Sequence, residues 1–469
     1  MEKCCDGKCS CNGQDRVLTG ARLLGFSFGT FGQMAPIGIY NVFSAYYYIY
    51  VIGLDPFSTM FGVFLSLLAF AISSTIFGVL ADNKKPGKHG KRRPFLLVGI
   101  PGLFTFMILC WTPPSMLLGL PPDMGTAVYF WTVAVALETC QGLLVSTYLS
   151  LMTEQSTSPD NRVKIATMQG IFSILGTVLS ILLPIILKSL AASGATLTSV
   201  MPWIGLAFGA IGFGAFLTVY FSTNEDFYLV NRETTLPKRT ITQTFKDIFV
   251  PARDPQFRLW LGNSLMFNMA IRFLIFILMP LMEFVIQLQQ SQYIIFFGCL
   301  LPIAATGYII WVKKIKTSGL RNAYGLSLLV NVVFSTAAIL LVIPMDFIMK
   351  FILGIVIVGI LISSLVAGYL FPNPIVSRLV DLAPEEIRKA ASSSSKGIAG
   401  SYFGLYLFTY NMAQAAANLL LGFIFTDQTK DDPFLIALMI PIAGAMTLVS
   451  WCFLRKIELT PAAPAQAQK

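Results

Sequence analysis

Charged residues are scarce in this sequence. Asp, Glu, Lys and Arg make up 12% of the 469 residues, whereas hydrophobic residues make up 55%. A soluble globular domain has about 25% charged residues and a smaller apolar share. The composition therefore excludes a soluble domain and predicts an integral membrane protein.

Histidine is almost missing as well. The single histidine, His89, lies in a basic loop. No histidine-paired nucleophile, metal-binding helix or phosphate-binding glycine loop of Walker type can be assembled from the remaining residues. We therefore expect no enzymatic activity and no step driven by ATP hydrolysis.

Long apolar runs fill most of the chain. Each is long enough for a helix across a hydrocarbon core, which takes about 20 residues. Because backbone groups in lipid must be hydrogen-bonded within the segment, these runs predict helices rather than barrel strands. The twelve predicted spans are residues 19–50, 57–81, 94–114, 124–152, 163–190, 200–221, 257–288, 291–312, 323–343, 347–373, 393–424 and 433–455. The predicted fold class is an all-α integral membrane protein with twelve transmembrane helices in two six-helix bundles.

A polar stretch divides the spans six and six. We predict a Cys-rich tail at 1–18, an N-terminal bundle at 19–221, a linker with a short amphipathic helix at 222–256, a C-terminal bundle at 257–455 and a second tail at 456–469. An internal repeat supports the division: "LMTEQSTSPDNRVKIA" after span four and "RLVDLAPEEIRKAA" after span ten share an acid, a proline and a basic pair. Repeated halves with a binding site between them are typical of secondary transporters.

Basic residues concentrate at one end of the predicted bundle. Six of them, from Lys84 to Arg93, lie between spans two and three. Lys and Arg near span ends accumulate on the cytoplasmic side, so both termini are predicted to be cytoplasmic. Topology and anionic lipid account for much of the net charge of +10. We expect the protein to contact the lipid bilayer and to have no nucleic-acid partner. We also expect a monomer in the plasma membrane without a cleavable signal peptide.

Two stretches resemble a known family. "GVLAD" followed by "GKRRP" resembles the loop-two signature of the major facilitator superfamily. The insertion "NKKPGKH" and the first-span segment "FGTFGQMAPIGIYNVFSAYYYIYVIGL" are similar to the glycoside-pentoside-hexuronide:cation symporters, the melibiose permease-like proteins. The resemblance implies secondary transport of a small-molecule solute, a sugar or glycoside, by alternating access. Rival interpretations are a lysolipid or other amphiphile transporter, a metal or thiol-compound exporter and a non-transporting membrane sensor.

The resemblance also implies an inner gate in the basic loop, which breaks and reforms during transport. Its residues here are Asp82, Arg92 and Arg93, with Arg162 and Arg388 as the repeat-related partners. Carboxylates at such a place stabilise a helix N-terminus or an arginine. The alternative is that these charges serve topology alone.

The family's cation site is altered in this sequence. The matching positions in spans one, two and four are Met34, Phe70, Ser74 and Val145, and none of them is acidic. A hard cation needs several oxygen ligands, so sodium coupling is not expected there. The proton is the predicted coupling ion if transport is coupled, and facilitated diffusion is the alternative. The family's span-eleven lysine is also replaced, by Asn411.

Two ionisable residues remain deep within apolar runs. Glu138 lies near the middle of span four and Arg272 lies within span seven. Because burying a charge in lipid is costly, such residues predict function, and the two charges are predicted to meet between the halves. The predicted residues for solute binding and coupling are Gln33, Asn41, Tyr48, Glu138, Gln141, Asn268, Arg272, Tyr406 and Asn411. The alternatives are a permanent ion pair and polar contacts between helices.

The N-terminal "KCCDGKCSC" forms a separate feature. Its thiols are Cys4, Cys5, Cys9 and Cys11. Reduced cysteines in a cytoplasmic tail offer soft ligands to zinc or copper(I). A metal site, a redox or lipidation role and a disordered tail all fit this irregular spacing.

Overall fold

The computed structural model describes residues 17–85, 87, 90–156, 158–191, 196–225, 240, 242, 246, 248–392 and 397–459. Within these ranges the regular structure is helical, apart from an isolated bridge between Gly87 and Gly90. The tail with its four cysteines and half of the predicted amphipathic helix at 241–250 lie outside the described residues.

Six long helices and one short helix make up the first half. They are α1 (Gly20–Tyr46), α2 (Pro56–Asn83), α3 (Arg93–Cys110), α4 (Pro114–Leu118), α5 (Met124–Gln155), α6 (Pro159–Ala191) and α7 (Leu197–Ser222). Here α1 packs on α6 and α7, and α5 packs on α2 and α3.

The second half repeats this plan with two short helices inserted. Its helices are α8 (Pro255–Pro280), α9 (Gln290–Ser318), α10 (Leu320–Ala337), α11 (Phe347–Leu370), α12 (Pro372–Asp381), α13 (Glu385–Ser392), α14 (Gly397–Ile424) and α15 (Pro433–Arg455). Among the described residues, ten helices are long and apolar enough to cross a membrane. The other two long helices are α1 and α14. The predicted all-α membrane fold is confirmed.

Aspartates define where several spans begin. Asp55, Asp254 and Asp432 each precede a proline and accept a backbone N–H from the first turn, at 2.8, 2.9 and 3.0 Å. Asp123 caps α5 in the same way, and its bonds from Thr126 lower the pKa of the Asp123 carboxyl. Proline suits the first helical position because that N–H has no partner within the helix.

The first helix of each half ends in the same irregularity. A π-helical turn, Tyr47–Ile52, extends α1, and another, Leu281–Val285, extends α8. Such turns widen a helix by one residue and are frequent at functional sites. Their matched positions agree with an internal repeat.

The two halves meet through α2 with α14, α6 with α9, and α1 with α8. We call the end that carries residues 84–93 the basic end, and the other the opposite end. At the opposite end, the Tyr46 hydroxyl donates to the Glu283 carboxylate and the Tyr50 hydroxyl donates to the Lys430 carbonyl at 2.7 Å. The rings of Phe57 and Phe423 also touch there, with centroids 5.0 Å apart. The halves are therefore closed against each other at the opposite end.

Candidate functional site

Arg272 lies between the halves and is buried, with 2% of its surface exposed. Its Nε donates to Asn418 Oδ1 on α14 at 2.9 Å, and its Nη1 donates to the Asn41 carbonyl on α1 at 2.9 Å. The guanidinium thus joins the first half to two helices of the second. Both acceptors are neutral oxygens.

Two rows of side chains lead from Arg272 toward the basic end. On α8 the row is Trp260, Ser264, Asn268 and Arg272, and on α14 it is Tyr406, Tyr410, Gln414 and Asn418. Residues four apart share one face of a helix. Trp260 lies beside Tyr406, with ring centroids 6.1 Å apart, and Arg272 binds Asn418, the residue 146 positions later. Trp260 and Tyr406 are separated by the same 146 positions as Arg272 and Asn418. The two rows are therefore in register.

A narrow cleft lies beside the part of these rows that is nearest the basic end, between α8, α10, α11 and α14. Trp260, Ser264, Asn268 and Tyr406 are among its lining residues. Within it the Asn268 amide donates to the Ser264 carbonyl at 2.7 Å. The predicted residues Asn268 and Tyr406 therefore lie in the second half, between Arg272 and the basic end.

Glu138 and Gln141 form the other part of the site. They lie one turn apart on α5, and each is 1% exposed. Glu138 Oε1 and both polar atoms of the Gln141 amide are enclosed and have no hydrogen-bond partner among the described residues. An unsatisfied buried polar group costs about 1–3 kcal/mol, so three such atoms within one turn are unusual in a native protein.

The two buried charges are near each other but do not form an ion pair. Glu138 and Arg272 interact electrostatically, yet no Arg272 nitrogen lies within 4.0 Å of a Glu138 oxygen. Tyr40 on α1 interacts with both of them, and its hydroxyl is 2.8 Å from Ser66 Oγ on α2. The sequence predicts that the two charges meet between the halves. In the structure they lie near each other but are not in direct contact.

The remaining predicted residues are more scattered. Tyr48 lies inside the first half, where its hydroxyl donates to the Cys110 carbonyl at 2.8 Å and its ring packs on Phe130. The Asn411 amide donates to the Leu407 carbonyl of its own helix at 2.8 Å. Gln33 is half-buried on α1. The structure therefore places Tyr48 away from the interface between the halves, contrary to its predicted place beside the solute.

A buried carboxylate, Glu225, organises the basic loop. It accepts the backbone N–H of Arg92 at 3.0 Å and that of Arg93 at 3.1 Å, at the start of α3. The Arg93 guanidinium lies over the Tyr220 ring, 4.2 Å from its centroid. An anion at a helix N-terminus is stabilised by the helix dipole and the free N–H groups. The Asp82 side chain lies outside the described residues, so the predicted contact of Asp82 with these arginines stays a prediction.

The repeat-related arginines make matching contacts. Arg162 Nε donates to the Ser156 carbonyl at 2.9 Å, and Arg388 Nε donates to the Ala383 carbonyl at 3.0 Å. Each arginine thus holds the loop that precedes its own helix, on the basic end of its own half. Their role as gate partners stays a prediction.

Several residues of the site were absent from the sequence prediction. Asn418 continues the four-residue spacing of Tyr406, Tyr410 and Gln414, and that spacing was a usable signal. For Glu225 there was no such signal in the sequence, because it lies in a polar linker among other charges. In the described part of the chain, no cluster of three or more His, Cys, Asp or Glu residues is placed to bind a metal ion.

Comparisons with known proteins agree with this architecture. The family described as "MFS/sugar transport protein" matches residues 25–427. No curated protein sequence matches the chain. The nucleoside transporter NupG is similar in structure, with a TM-score of 0.62 at 13% identity, over 93% of this chain and 100% of that one.

Two further solved structures are similar. A bacterial homologue of the human lysosomal transporter Spinster has a TM-score of 0.62 at 14% identity, over 94% of this chain and 98% of that one. A D-xylose-proton symporter has a TM-score of 0.59 at 16% identity, over 93% and 96%. At these identities the likeness shows the fold alone. Because the family match covers most of the sequence and the fold agrees with it, the chain belongs to the MFS/sugar transport protein family of the major facilitator superfamily.

Proposed function

We propose that this secondary transporter moves a small, uncharged, hydroxyl-rich solute by alternating access, and that sugars or glycosides are its substrate class. The observation that carries the proposal is the set of enclosed, unpaired polar atoms of Glu138 and Gln141 beside Arg272. Ionisable and polar groups at this depth in a membrane protein mark a substrate or ion path.

The chemistry of these groups suits hydroxyls. A glutamine amide offers both donors and an acceptor, a carboxyl group accepts, and a guanidinium donates. A sugar hydroxyl donates and accepts, so neighbouring hydroxyls satisfy all three groups together. A site with buried polar groups also rejects a solute that leaves them unpaired. A solute between Glu138 on α5 and Arg272 on α8 therefore contacts both halves.

The closed end identifies the conformational state of the transport cycle that the structure represents. If Lys and Arg mark the cytoplasmic side, the basic end faces the cytoplasm and the contacts of Tyr46 and Tyr50 close the external side. The conformation is then closed on the external side. For the alternate state, the halves separate at the opposite end and approach each other at the basic end.

Thermal unfolding of the purified full-length protein tests the proposal. A ligand that binds the folded state stabilises it by about 2.7 kcal/mol at a hundredfold excess over its Kd. We expect one class of sugar to raise the unfolding midpoint, and the variant Gln141→Leu to lose that increase. Asn331→Ala is the matched control, because Asn331 is buried and bound to Ser364, away from the proposed site. The control should unfold earlier but keep the sugar-induced increase.

The same panel separates the rival functions. Lysolipids that raise the midpoint while sugars do not would replace the proposal with an amphiphile carrier. A response to zinc or copper(I) that is lost on deletion of residues 1–12 would favour an exporter that uses the cysteine tail. Sugar binding with no uptake into vesicles would indicate a sensor.

A further inference from the structure

Two loops at the opposite end expose apolar side chains. The first follows α3 and exposes Leu117 and Leu118 on α4. The second follows α10 and exposes Ile343 and, in the first turn of α11, Ile348. Leu118 is 69% exposed and Ile348 is 71% exposed, whereas the exposed residues of the loop 426–432 at the same end are all polar. Exposed apolar patches of this kind mark a surface that something other than water covers.

The two loops occupy matching places in the two halves. Each follows the third long helix of its half, and each contains a single charged residue, an aspartate directly before the next long helix. That residue is Asp123 before α5 and Asp346 before α11. Whereas the halves meet through other helices, α3 packs on α5 and α7, and α10 packs on α11 and α15. Both loops therefore lie on the outer rim of the molecule, away from the interface between the halves.

The lengths of α3 and α10 place the two loops at the membrane surface. Each helix has 18 residues, the fewest of the long helices in the described part of the chain. At 1.5 Å per residue that is about 27 Å, close to the thickness of the hydrocarbon core, roughly 30 Å. A 3-10 turn, Ala338–Val342, extends α10 by about 10 Å, still within the total of about 40–45 Å that includes the head groups. The chain that leaves either helix therefore emerges in the interfacial layer.

We propose that these two loops are interfacial anchors, which insert their exposed apolar side chains between the lipid head groups at the opposite end. The patches continue the exposed apolar faces of α3 and α10, to which Val98 and Val333 belong. The lipid bilayer that covers those faces thus also reaches the loops. Short segments with one apolar face lie at this boundary and bury that face by about 5–10 Å. The anchoring role is independent of the identity of the solute.

Each anchor is tied to the π-helical turn of its own half. In the first half, the Tyr47 hydroxyl lies 3.3 Å from the Trp111 carbonyl oxygen and 3.2 Å from Met116 Sδ on α4. In the second half, Lys350 Nζ donates to the Val285 carbonyl at 3.1 Å. The same two turns carry side chains that close the opposite end. The anchors therefore hold the closing residues of both halves at a fixed depth in the membrane.

Collisions of nitroxide spin labels with oxygen and with a water-soluble nickel complex test the anchors, in the full-length protein in lipid vesicles. The labels are attached to Leu118→Cys and Ile348→Cys in a background without the eight native cysteines. Asp427→Cys supplies the aqueous reference and Val98→Cys the lipid reference. Oxygen concentrates in lipid and the nickel complex in water. We expect the ratio of oxygen to nickel collisions to be several-fold higher at both anchor positions than at Asp427.

Two results would overturn the proposal. A label at either anchor position that is as open to the nickel complex as the label at Asp427 would place that loop in water. A label that neither reagent reaches would show that a protein partner, such as a second copy of this chain, covers the loop instead of lipid.

A charged substitution tests the link between the anchors and the closed end. Leu118→Asp should draw α4 toward water, loosen its contact with Tyr47 and favour the state that is open at the opposite end. Spin labels at the exposed positions Ser199 and Asp427 report the separation of the halves there, and we expect a longer distance in Leu118→Asp. Gln287→Asp adds the same charge at an exposed position between α8 and α9 and should leave the distance unchanged. Equal distances in Leu118→Asp and the parent protein would refute the link.

Discussion

At the scale of single residues, Gly90 shows how closely the basic loop is built around one carboxylate. Gly90 has a φ of 82°, and a Cβ added there would lie 2.0 Å from Glu225 Oε2. Glu225 in turn holds the start of α3 through the N–H groups of Arg92 and Arg93. Glycine is thus required at position 90 for two independent reasons, its backbone conformation and the space taken by Glu225.

The variant Gly90→Ala should lower the stability of the folded protein. A side chain at positive φ costs about 1–2 kcal/mol, and displacement of Glu225 adds to this loss. Thermal unfolding in detergent measures the effect. Gly87→Ala is the matched control, because Gly87 lies in the same loop with open space around its Cβ position. Equal midpoints for the two variants would contradict the assigned role of Glu225.

At the scale of helices, α2 and α14 approach each other closely at the opposite end. A Cβ added to Gly422 would lie 2.9 Å from Met60 Cβ and 3.4 Å from Phe57 Cα. Small residues allow such close packing between membrane helices. This contact lies beside the Phe57–Phe423 ring pair and helps to close that end of the bundle.

The variant Gly422→Leu should keep α2 and α14 apart and favour the state that is open at the opposite end. Spin labels at the exposed positions Pro121 and Asp427 report the distance between the two halves at that end. We expect a longer distance in Gly422→Leu than in the parent protein. Gly298→Leu, on the outside of α9, adds the same bulk in open space and should leave the distance unchanged.

At the scale of the whole molecule, the distribution of basic residues predicts the orientation in the membrane. Lys316 lies at the basic end and Asp427 at the opposite end, and both are exposed. In a background without the eight native cysteines, a membrane-impermeant thiol reagent added to intact cells should label Asp427→Cys and spare Lys316→Cys. The reverse labelling would place the basic end outside and invert the assigned direction of opening.

Much of the fold and part of the site could be predicted from the sequence. Span lengths follow from lipid thickness, so the predicted span 433–455 coincides with α15. Glu138 and Arg272 could be found because a charge within an apolar run is costly. The hydrogen bond from Arg272 to Asn418 could not be found in this way, since it depends on how α8 packs on α14 rather than on local sequence.

The misplacement of Tyr48 has a specific cause. Tyr40 and Tyr48 are about two turns apart on the first helix and share a face, as their spacing predicts. That face packs inside the first half, where the Tyr40 hydroxyl lies 2.8 Å from Ser66 Oγ and the Tyr48 hydroxyl donates to the Cys110 carbonyl. Spacing along one helix carries no signal for the neighbour that its face contacts, and Tyr48 lies against Cys110 and Phe130.

The equal spacing of the two rows on α8 and α14 limits how the second half can move. A slide of one helix past the other by a turn, about 5.4 Å, would place Arg272 opposite Gln414 and Trp260 opposite Tyr402. Every pair would change at once, and Tyr402 would have to leave Asp254, to which its hydroxyl donates at 2.7 Å. A joint rotation of both helices breaks none of these contacts. The rocking motion that exposes the site should therefore carry α8 and α14 as one rigid unit, and the contacts that change should be those with the first half.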